Sequence, residues 1–389
     1  MTHSTTSTTG LRKASTVLAV AAAAALGAGA SGADEIRYGN PQSDANPISV
    51  GIAAYIDAVN AGSDLMLRRY GAALLPQPEI ASGLRDGVIG MGLVISAYLP
   101  AELSQSNLMA ELSMLVTSGT PSDAVPAASA GAMMEYVLFN CPECLQQFAD
   151  QNMVFLSSGS TNSYDLVCRG VVSGVEDLPG LRIRSGAGNF TRWAEAMGAT
   201  VVTMDSSEVF TAMSQGVLDC NMLSFANMIA FGMEEIAGSV LFGVPGGVFS
   251  GYSPNVVNLD TWRGLATEER AVLIEQSAGL IADITIAQLD SHAAVMEAVE
   301  GTSIVLTQAD EATRAATDAF VAQDRQVIID QFTTMYGMTD VAARVEVAAG
   351  LIERWKGLTA GIGDDRDALA ALYQREIFSR LDPATYAME

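Results

Sequence analysis

The chain has 389 residues, 49% of them hydrophobic and 16% charged, so it can build one large or two medium globular domains. Its 20 Lys and Arg residues against 44 Asp and Glu residues give a formal net charge of -24. A surface of this sign repels nucleic acid and anionic lipid, which argues against both as partners.

Residues 1–33 predict a secretory signal peptide. Arg12 and Lys13 precede an apolar run that ends in small residues. The run is shorter than the roughly 20 apolar residues that a membrane-spanning helix needs. We expect cleavage between Ala30 and Asp34, export to the periplasm, and a mature chain that does not itself span the membrane.

Four cysteines are available for disulfides in an exported protein. Cys141 and Cys144, in the stretch CPEC, predict a local bridge. Cys168 and Cys220 are either buried free thiols or, if their strands are neighbours, a second pair. The chain has no second CxxC and only two histidines, too few for the four ligands of a structural metal site, so we expect no metal and no cofactor.

Short apolar runs alternate with helical stretches in the first half of the mature chain. EIRYGN reads as a strand, and Asn46-Pro47 provides a cap and a first-turn proline for a helix that ends near Asn60. Glycines follow later helices directly before buried strands, as at Gly198 and Gly216. This pattern predicts an α/β protein with largely parallel sheets.

The second half is mostly helical. A long helix is predicted over 267–300, followed by a short strand, SIVL. Thr307-x-x-Asp310 then resembles a capping box and predicts the start of another long helix that ends near Tyr336. The chain lacks GxSxG and a GxxxxGK[ST] phosphate loop, and its only histidine outside the signal, His292, lies within the long helix. We therefore predict no catalytic residues.

The stretch GLRIRSGAGNF, Gly180–Phe190, contains two arginines in an apolar strand. Ligands of parallel α/β sheets bind beyond the carboxyl ends of strands, where Arg184 lies, next to glycines and a helix start. A guanidinium at this position can hold a carboxylate through two hydrogen bonds. We interpret Arg184 as the candidate anion ligand and Arg182 as a structural neighbour; the alternative is an internal salt bridge or an exposed edge strand.

Three segments together resemble the solute-binding proteins of TRAP (tripartite ATP-independent periplasmic) transporters. They are GLRDGVIGMGLVISAYLP (83–100), VEDLPGLRIRSGAG (175–188) and MDSSEVFTAMSQGVLDCNML (204–223). The resemblance implies two α/β domains with hinge strands and a long helix across both, which close around one organic anion clamped by Arg184. It implies domain I at 34–160 plus 249–288 and domain II at 161–248 plus 289–389.

The sequence departs from the family pattern at three positions. Tyr164 stands where many sialic-acid-type members have a second arginine, with Arg169 nearby; Ser206 replaces an aromatic residue and Leu223 an asparagine. A less cationic pocket favours a monocarboxylate. The aromatic residues Tyr98, Trp193, Phe225 and Tyr252 suggest an apolar or hydroxylated ligand tail, although each also suits a plain core position.

The predicted ligand-binding set is Arg184, Tyr164, Asn40, Gln77, Ser96, Tyr98, Ser206, Asn221, Leu223, Tyr252 and Arg169. The predicted function is a periplasmic receptor that delivers a small carboxylate to the membrane permease of a TRAP transporter, without chemistry of its own. The alternatives are a secreted enzyme that uses carboxylates in the interlobe cleft, and a receptor of an ABC or signalling system.

Overall fold

The computed structural model describes residues 35–118 and 124–389, so the predicted signal peptide lies outside the described residues. The strands are β1 (Glu35–Gly39), β2 (Met66–Tyr70), β3 (Met91–Val94), β4 (Met153–Ser157), β5 (Tyr164–Cys168), β6 (Arg182–Ser185), β7 (Thr200–Thr203), β8 (Cys220–Ser224), β9 (Ser239–Phe242), β10 (Ser253–Asn258) and β11 (Val305–Gln308).

The α-helices are α1 (Pro47–Gly62), α2 (Ile80–Arg85), α3 (Ser104–Glu111), α4 (Val125–Glu135), α5 (Pro142–Asp150), α6 (Gly188–Ala196), α7 (Val209–Ser214), α8 (Leu259–Gly264), α9 (Thr267–Val299), α10 (Glu311–Met335), α11 (Val341–Thr359) and α12 (Arg366–Glu376). The cap predicted at Asn46 is confirmed for α1, but the capping box predicted from Thr307 is wrong, because Thr307 lies in β11 and Asp310 caps α10. The side chain of Asn46 accepts a hydrogen bond from the Ile48 amide at α1, and that of Asp310 accepts one from the Thr313 amide at α10.

The strands form two mixed sheets. The first has the order β2-β1-β3-β10-β4, and the second has the order β11-β9-β5-β8-β6-β7. Most neighbours are parallel, but β10 is antiparallel to β3 and β4, and β5 is antiparallel to β8 and β9. The expectation of largely parallel sheets is therefore wrong for β5 and β10, because each of them enters its sheet from the other one.

Two connecting segments, residues 158–163 and 243–252, carry the chain between the sheets. They run side by side: the Thr161 amide donates to the Phe249 carbonyl at 3.1 Å, and the Tyr164 amide donates to the Gly247 carbonyl at 3.0 Å. These paired segments are the hinge strands of the two-domain α/β fold.

Helix α9 spans the two sheets, as predicted. Its first half, including Leu273 and Ile281, packs in the core of the first sheet, and Val295 and Val299 near its end pack in a core of the second. By length and composition α9 could cross a membrane, but more than half of its apolar stretch is buried in this protein. The α9 helix is therefore a core helix of the described unit.

The C-terminal helices pack in the first core. Trp355 of α11 and Tyr373 of α12 are buried with the side chains of the first sheet, although the predicted boundaries assign 289–389 to domain II. Residues 34–389 cluster as one unit by their contacts. The division of the chain at 160, 248 and 288 remains a prediction.

All four cysteines are paired. Cys141 and Cys144 form a bridge at the start of α5, where the Cys141 side chain accepts a hydrogen bond from the Cys144 amide. Cys168 and Cys220 occupy directly opposite positions on β5 and β8 and form the second bridge. The free-thiol alternative for this second pair is wrong, because adjacent strands bring the two residues together.

Gly131 of α4 provides a test of the packing between α4 and α11. A Cβ at this position would lie 2.1 Å from Cε3 of Trp355, a fully buried ring whose Nε1 donates to Glu135. We expect Gly131→Ala to lower the free energy of unfolding by about 2 kcal/mol, because the ring has no space to move. Chemical denaturation measures this change.

Gly350 of α11 is the matched control, since a Cβ there would meet no heavy atom within 4 Å. Gly350→Ala should be neutral or stabilising by about 0.5–1 kcal/mol, because alanine has the higher helix propensity. Equal effects of the two substitutions would contradict the packing argument.

Candidate functional site

Arg184 lies near the carboxyl end of β6, between β8 and β7, and is only 4% exposed. Its Nε and Nη2 donate to the Met204 carbonyl at 3.2 and 3.1 Å, and Nη2 also donates to the Tyr98 hydroxyl at 3.3 Å. Among the described residues, Nη1 has no acceptor and no Asp or Glu forms an ion pair with this guanidinium. Arg184 is therefore a buried cation without a counter-charge.

Two other arginines show how unusual this arrangement is. Arg182, two residues earlier, is half exposed and makes a two-pronged pair with Asp219, with N–O distances of 2.9 and 2.7 Å. Arg270 is as buried as Arg184 and also lacks a carboxylate partner in the described part of the chain, but each of its three guanidinium nitrogens donates to a protein oxygen. Arg182 thus has a carboxylate partner and Arg270 uses all three nitrogens, whereas the buried Arg184 does neither.

Gly186 leaves room for the Arg184 guanidinium. A Cβ on Gly186 would lie 3.0 Å from both Nη1 and Nη2, so a side chain at this position would displace the charge. The sequence suggested that backbone amides at the nearby start of α6 are available to an anion. The Gly188 amide is not available, because it donates to Oε1 of Glu111 at 3.1 Å. The Gly188 amide is therefore used within the protein.

A cavity of about 60 Å³ adjoins Arg184, and we call it the Arg184 cavity. It is lined by residues of both sheets and of both connecting segments. Of the predicted set it brings together Arg184, Tyr98, Tyr164, Ser206, Asn221, Leu223 and Tyr252. Its remaining lining residues are Gln42, Asn46, Ile48, Leu93, Ile95, Thr161, Gly186, Val209, Asn227, Phe231 and Phe249.

Four predicted residues do not line the Arg184 cavity. Asn40 donates to Ser49, and Gln77 donates to the Leu93 carbonyl while its Oε1 accepts from the lining residue Gln42. The Ser96 carbonyl accepts from Asn107. These three residues support the cavity wall from behind.

Arg169 lies far from the Arg184 cavity. It follows the end of β5 opposite to Tyr164, about 16 Å away at the usual rise per residue of a strand, where its amide donates to the Asp219 carbonyl. Trp193 and Phe225 do not line the cavity either; they are fully buried core residues. The structure thus separates these three side chains from Arg184.

The lining residues that sequence reasoning missed come from loops remote in sequence. Gln42 and Asn46 follow β1, and Phe249 lies in the second connecting segment. A signal was present for Asn46, since its Asn-Pro helix start lies in the segment that connects β1 to α1. No local pattern distinguishes Phe249, because its position depends on the pairing of the two connecting segments.

Aromatic rings form a continuous stack across the connecting segments. Phe190 stacks on Tyr164 with ring centroids 4.6 Å apart, Tyr164 stacks on Phe249 at 6.2 Å, and Phe249 stacks on Tyr252 at 6.2 Å, all with interplanar angles of 14° or less. Tyr164, Phe249 and Tyr252 also line the Arg184 cavity. One wall of this cavity is therefore flat and aromatic.

The polar groups of the cavity are neutral apart from Arg184, which is the only charged side chain among its described lining residues. Burial raises the pKa of Tyr164, although the nearby Arg184 opposes the effect, and burial likewise raises the pKa of Tyr252. The buried Oδ1 atoms of Asn221 and Asn227 and the Tyr252 hydroxyl have no hydrogen-bond partner among the described residues. Arg184 is thus the one charged group among the described residues of this lining.

An ion cluster links the lobes beside this site. Arg192 of α6 donates to Glu111 of α3 at 2.8 Å and, through two nitrogens, to Asp324 of α10 at 2.6 and 2.8 Å. Burial raises the pKa of Glu111, and Arg192 opposes this effect. Among the described residues, no group of three or more His, Cys, Asp or Glu side chains could hold a metal ion.

The chain belongs to family 7 of the bacterial extracellular solute-binding proteins, whose family model matches residues 72–328. A solute-binding protein of Albidiferax ferrireducens is 24% identical over 209 residues, which cover 54% of this chain and 58% of that relative. The chain therefore spans little more than half the length of that relative.

Solved structures of TRAP solute-binding proteins share the fold. One from a marine metagenome, specific for aromatic acid ligands and bound to metahydroxyphenylacetate, has a TM-score of 0.71, 20% identity, and coverage of 82% of this chain and 99% of that one. One from Bordetella bronchiseptica with bound mandelate has a TM-score of 0.68, 19% identity, and coverage of 82% of this chain and 99% of that one. The ectoine-binding protein of Halomonas elongata has a TM-score of 0.71, 15% identity, and coverage of 82% of this chain and 100% of that one.

Asp165, next to Tyr164 on β5, gives the protein a pH-dependent stability. Burial raises the pKa of this carboxyl from 3.8 to about 7, although backbone amides such as that of Gly243, at 3.0 Å, donate to it. The unfolded chain therefore releases this proton from about pH 4 upward, whereas the folded protein keeps it until about pH 7. The contribution of Asp165 to the free energy of unfolding therefore decreases as the pH rises from about 4 to about 7.

We expect Asp165→Asn to stabilise the protein at pH 8, by at most about 4 kcal/mol, and to have little effect below pH 4, where Asp165 is neutral in both states. Denaturation curves of both proteins from pH 4 to pH 8 measure the difference. Because His292 lines the same cavity as Asp165 and burial lowers its pKa, His292→Gln is the control and should leave the Asp165 difference unchanged. A difference that does not vary with pH would contradict the assignment.

Proposed function

We propose that the protein is a periplasmic receptor that binds a small organic carboxylate at Arg184 and delivers it to the membrane permease of a TRAP transporter. The observation that carries the proposal is the buried Arg184 guanidinium, which has a free Nη1 and no carboxylate partner among the described residues. A buried charge is costly unless it is paired. A carboxylate ligand would supply the missing partner through short, charge-assisted hydrogen bonds.

A monocarboxylate fits this cavity better than a dicarboxylate. Arg184 is the only charge in the lining, and a neutral Tyr164 lies where the resemblance would place a second arginine. A second carboxylate would therefore be desolvated without a counter-charge. The aromatic stack favours a ligand with an apolar or ring-bearing body, in line with the aromatic acids and mandelate bound to two of the similar structures.

Closure of two lobes around the ligand would explain why residues of both sheets line one cavity. Tyr98 precedes α3 on the side of the first sheet, and it reaches Arg184 of the second. A ligand between them would stabilise the closed arrangement about the connecting segments. Membership of the solute-binding family and the predicted signal peptide support a receptor role.

The enzyme alternative requires two carboxylates with separated pKa values that face one pocket. The Arg184 cavity has no Asp or Glu among its described lining residues, so its chemistry favours binding. A receptor for an ABC or signalling system would use the same pocket. Co-purification of the protein with its membrane partner separates that alternative from a TRAP permease.

Arg184→Ala should abolish most carboxylate binding while the fold is retained. Truncation of one partner of a buried charge pair costs about 2–5 kcal/mol, which corresponds to at least a thirtyfold loss of affinity. A thermal-shift screen of mono- and dicarboxylates first identifies the best acid. Calorimetric titration with that acid then measures the loss of affinity. Arg182→Ala is the control, because its partner is Asp219 and its side chain is half exposed.

Binding that survives Arg184→Ala would contradict the assigned role. A dicarboxylate as the tightest ligand of the wild-type protein would contradict the preference for one carboxylate, without affecting the role of Arg184.

A further inference from the structure

Asp165 is a buried acid close to the Arg184 cavity. It follows Tyr164 on β5 and is 6% exposed. Its carboxyl accepts hydrogen bonds from the backbone amides of Gly243, at 3.0 Å, and of Phe225. Among the described residues, no Lys, Arg or His forms an ion pair with it. Asp165 is thus a buried acid that is held by neutral groups.

The strand register places Asp165 and Arg184 on the same face of the second sheet. Asp165 pairs directly with Leu223 of β8, and Val167, two residues further along β5, pairs with Asn221. Asn221 in turn pairs with Arg184 on β6. Paired residues share a face of a sheet, and so do residues two apart on one strand. The usual spacing and rise of strands give about 12 Å between the Cα atoms of Asp165 and Arg184.

Apolar protein lies between Asp165 and the Arg184 cavity. Leu223 pairs with Asp165 and also lines that cavity. It is 3% exposed and belongs to one hydrophobic core with Val167 and Phe225. Charges that are separated by buried apolar groups are screened much less than charges in water. A charge on Asp165 therefore acts on an anion at Arg184.

The carboxylate form of Asp165 and a carboxylate bound at Arg184 carry the same charge, so each disfavours the other. At about 12 Å and an effective dielectric constant of about 20, Coulomb's law gives roughly a tenfold change in an equilibrium constant. Burial raises the pKa of Asp165 to about 7. The charge that opposes the anion is therefore present above neutral pH and absent below it.

The other titratable groups around Asp165 keep their charge near neutral pH. Asp165 also lines a cavity of about 510 Å³ that shares no lining residue with the Arg184 cavity. His292 of α9 is the other titratable residue of that described lining, and burial lowers its pKa. The groups from α4, the connecting segments, β9 and β11 are uncharged. On the side of the Arg184 cavity, burial raises the pKa of Tyr164.

We propose that Asp165 regulates anion binding at Arg184 through its charge: a carboxylate binds more tightly when Asp165 is protonated, and its binding draws a proton from the solvent onto Asp165. This inference rests on the proposed function, since it requires an anion at Arg184. The affinity for the acid then falls as the pH rises through the titration of Asp165. Alkaline conditions favour release of the acid, and acidic conditions favour its capture.

The first test needs no ligand. Asp165→Asn, Arg184→Ala and the double variant are unfolded by denaturant at pH 5 and pH 8, and their unfolding constants form a double-mutant cycle. At pH 8, attraction between the carboxylate and the guanidinium should give a coupling of about threefold to tenfold. At pH 5, where Asp165 is protonated in the folded protein, the coupling should disappear. A cycle without coupling at pH 8 would overturn the electrostatic link.

The second test is calorimetric titration between pH 6 and pH 8.5 with benzoate and with the tightest monocarboxylate of the thermal-shift screen. The affinity of the wild-type protein should fall about threefold to tenfold over this range. Proton uptake near pH 7 should make the binding heat depend on the ionisation enthalpy of the buffer. Asp165→Asn should remove both effects, and the control His292→Gln should retain them.

A wild-type affinity that does not vary with pH would overturn the regulation by Asp165, and so would a pH dependence that persists in Asp165→Asn. Failure of the proposed function gives a different result. If no acid binds the wild-type protein, or if binding persists in Arg184→Ala, the carboxylate receptor is refuted together with this inference. If acids bind in an Arg184-dependent manner at an affinity independent of pH, only the role of Asp165 is refuted.

Discussion

The burial of one guanidinium without a counter-charge is the constraint on which the rest of the site depends. Arg184 is held by the Met204 carbonyl and the Tyr98 hydroxyl, both neutral, and by the missing side chain of Gly186. Neutral acceptors orient a cation but do not neutralise it. The fold therefore stabilises a position for an anion that the described residues do not supply.

The two connecting segments convert that local feature into a cavity between lobes. Their pairing places Tyr164 and Phe249 in one aromatic stack, and Tyr252 extends it toward the first core. Motion about these segments would change the distance between Tyr98 and Arg184. A ligand that contacts both would thus couple binding to the arrangement of the lobes.

Local chemistry predicted most elements, and long-range pairing explains what it missed. The Asn46 cap and the helix-ending glycines at 198 and 216, both with positive φ, place α1, α6 and α7 correctly. Arg184 could be found from its place near the carboxyl end of its strand, whereas Tyr164 and Asn221, at the beginnings of β5 and β8, were predicted from the resemblance to the family. The antiparallel direction of β5 and β10 could not be predicted, because it depends on the crossing of the chain between the two sheets. The position of Phe249 could not be predicted either, because it depends on the same crossing.

Glu111 explains why the site presents a single positive charge. The start of α6 would otherwise add a partial positive charge beside Arg184, but the Glu111 carboxylate accepts from the Gly188 amide and also pairs with Arg192. One acidic side chain from the opposite lobe thus neutralises two cationic groups, and Asp324 completes the balance on Arg192. Because Arg184 has no carboxylate partner among the described residues, the electrostatics of the cleft favour an anion with one negative charge at that point.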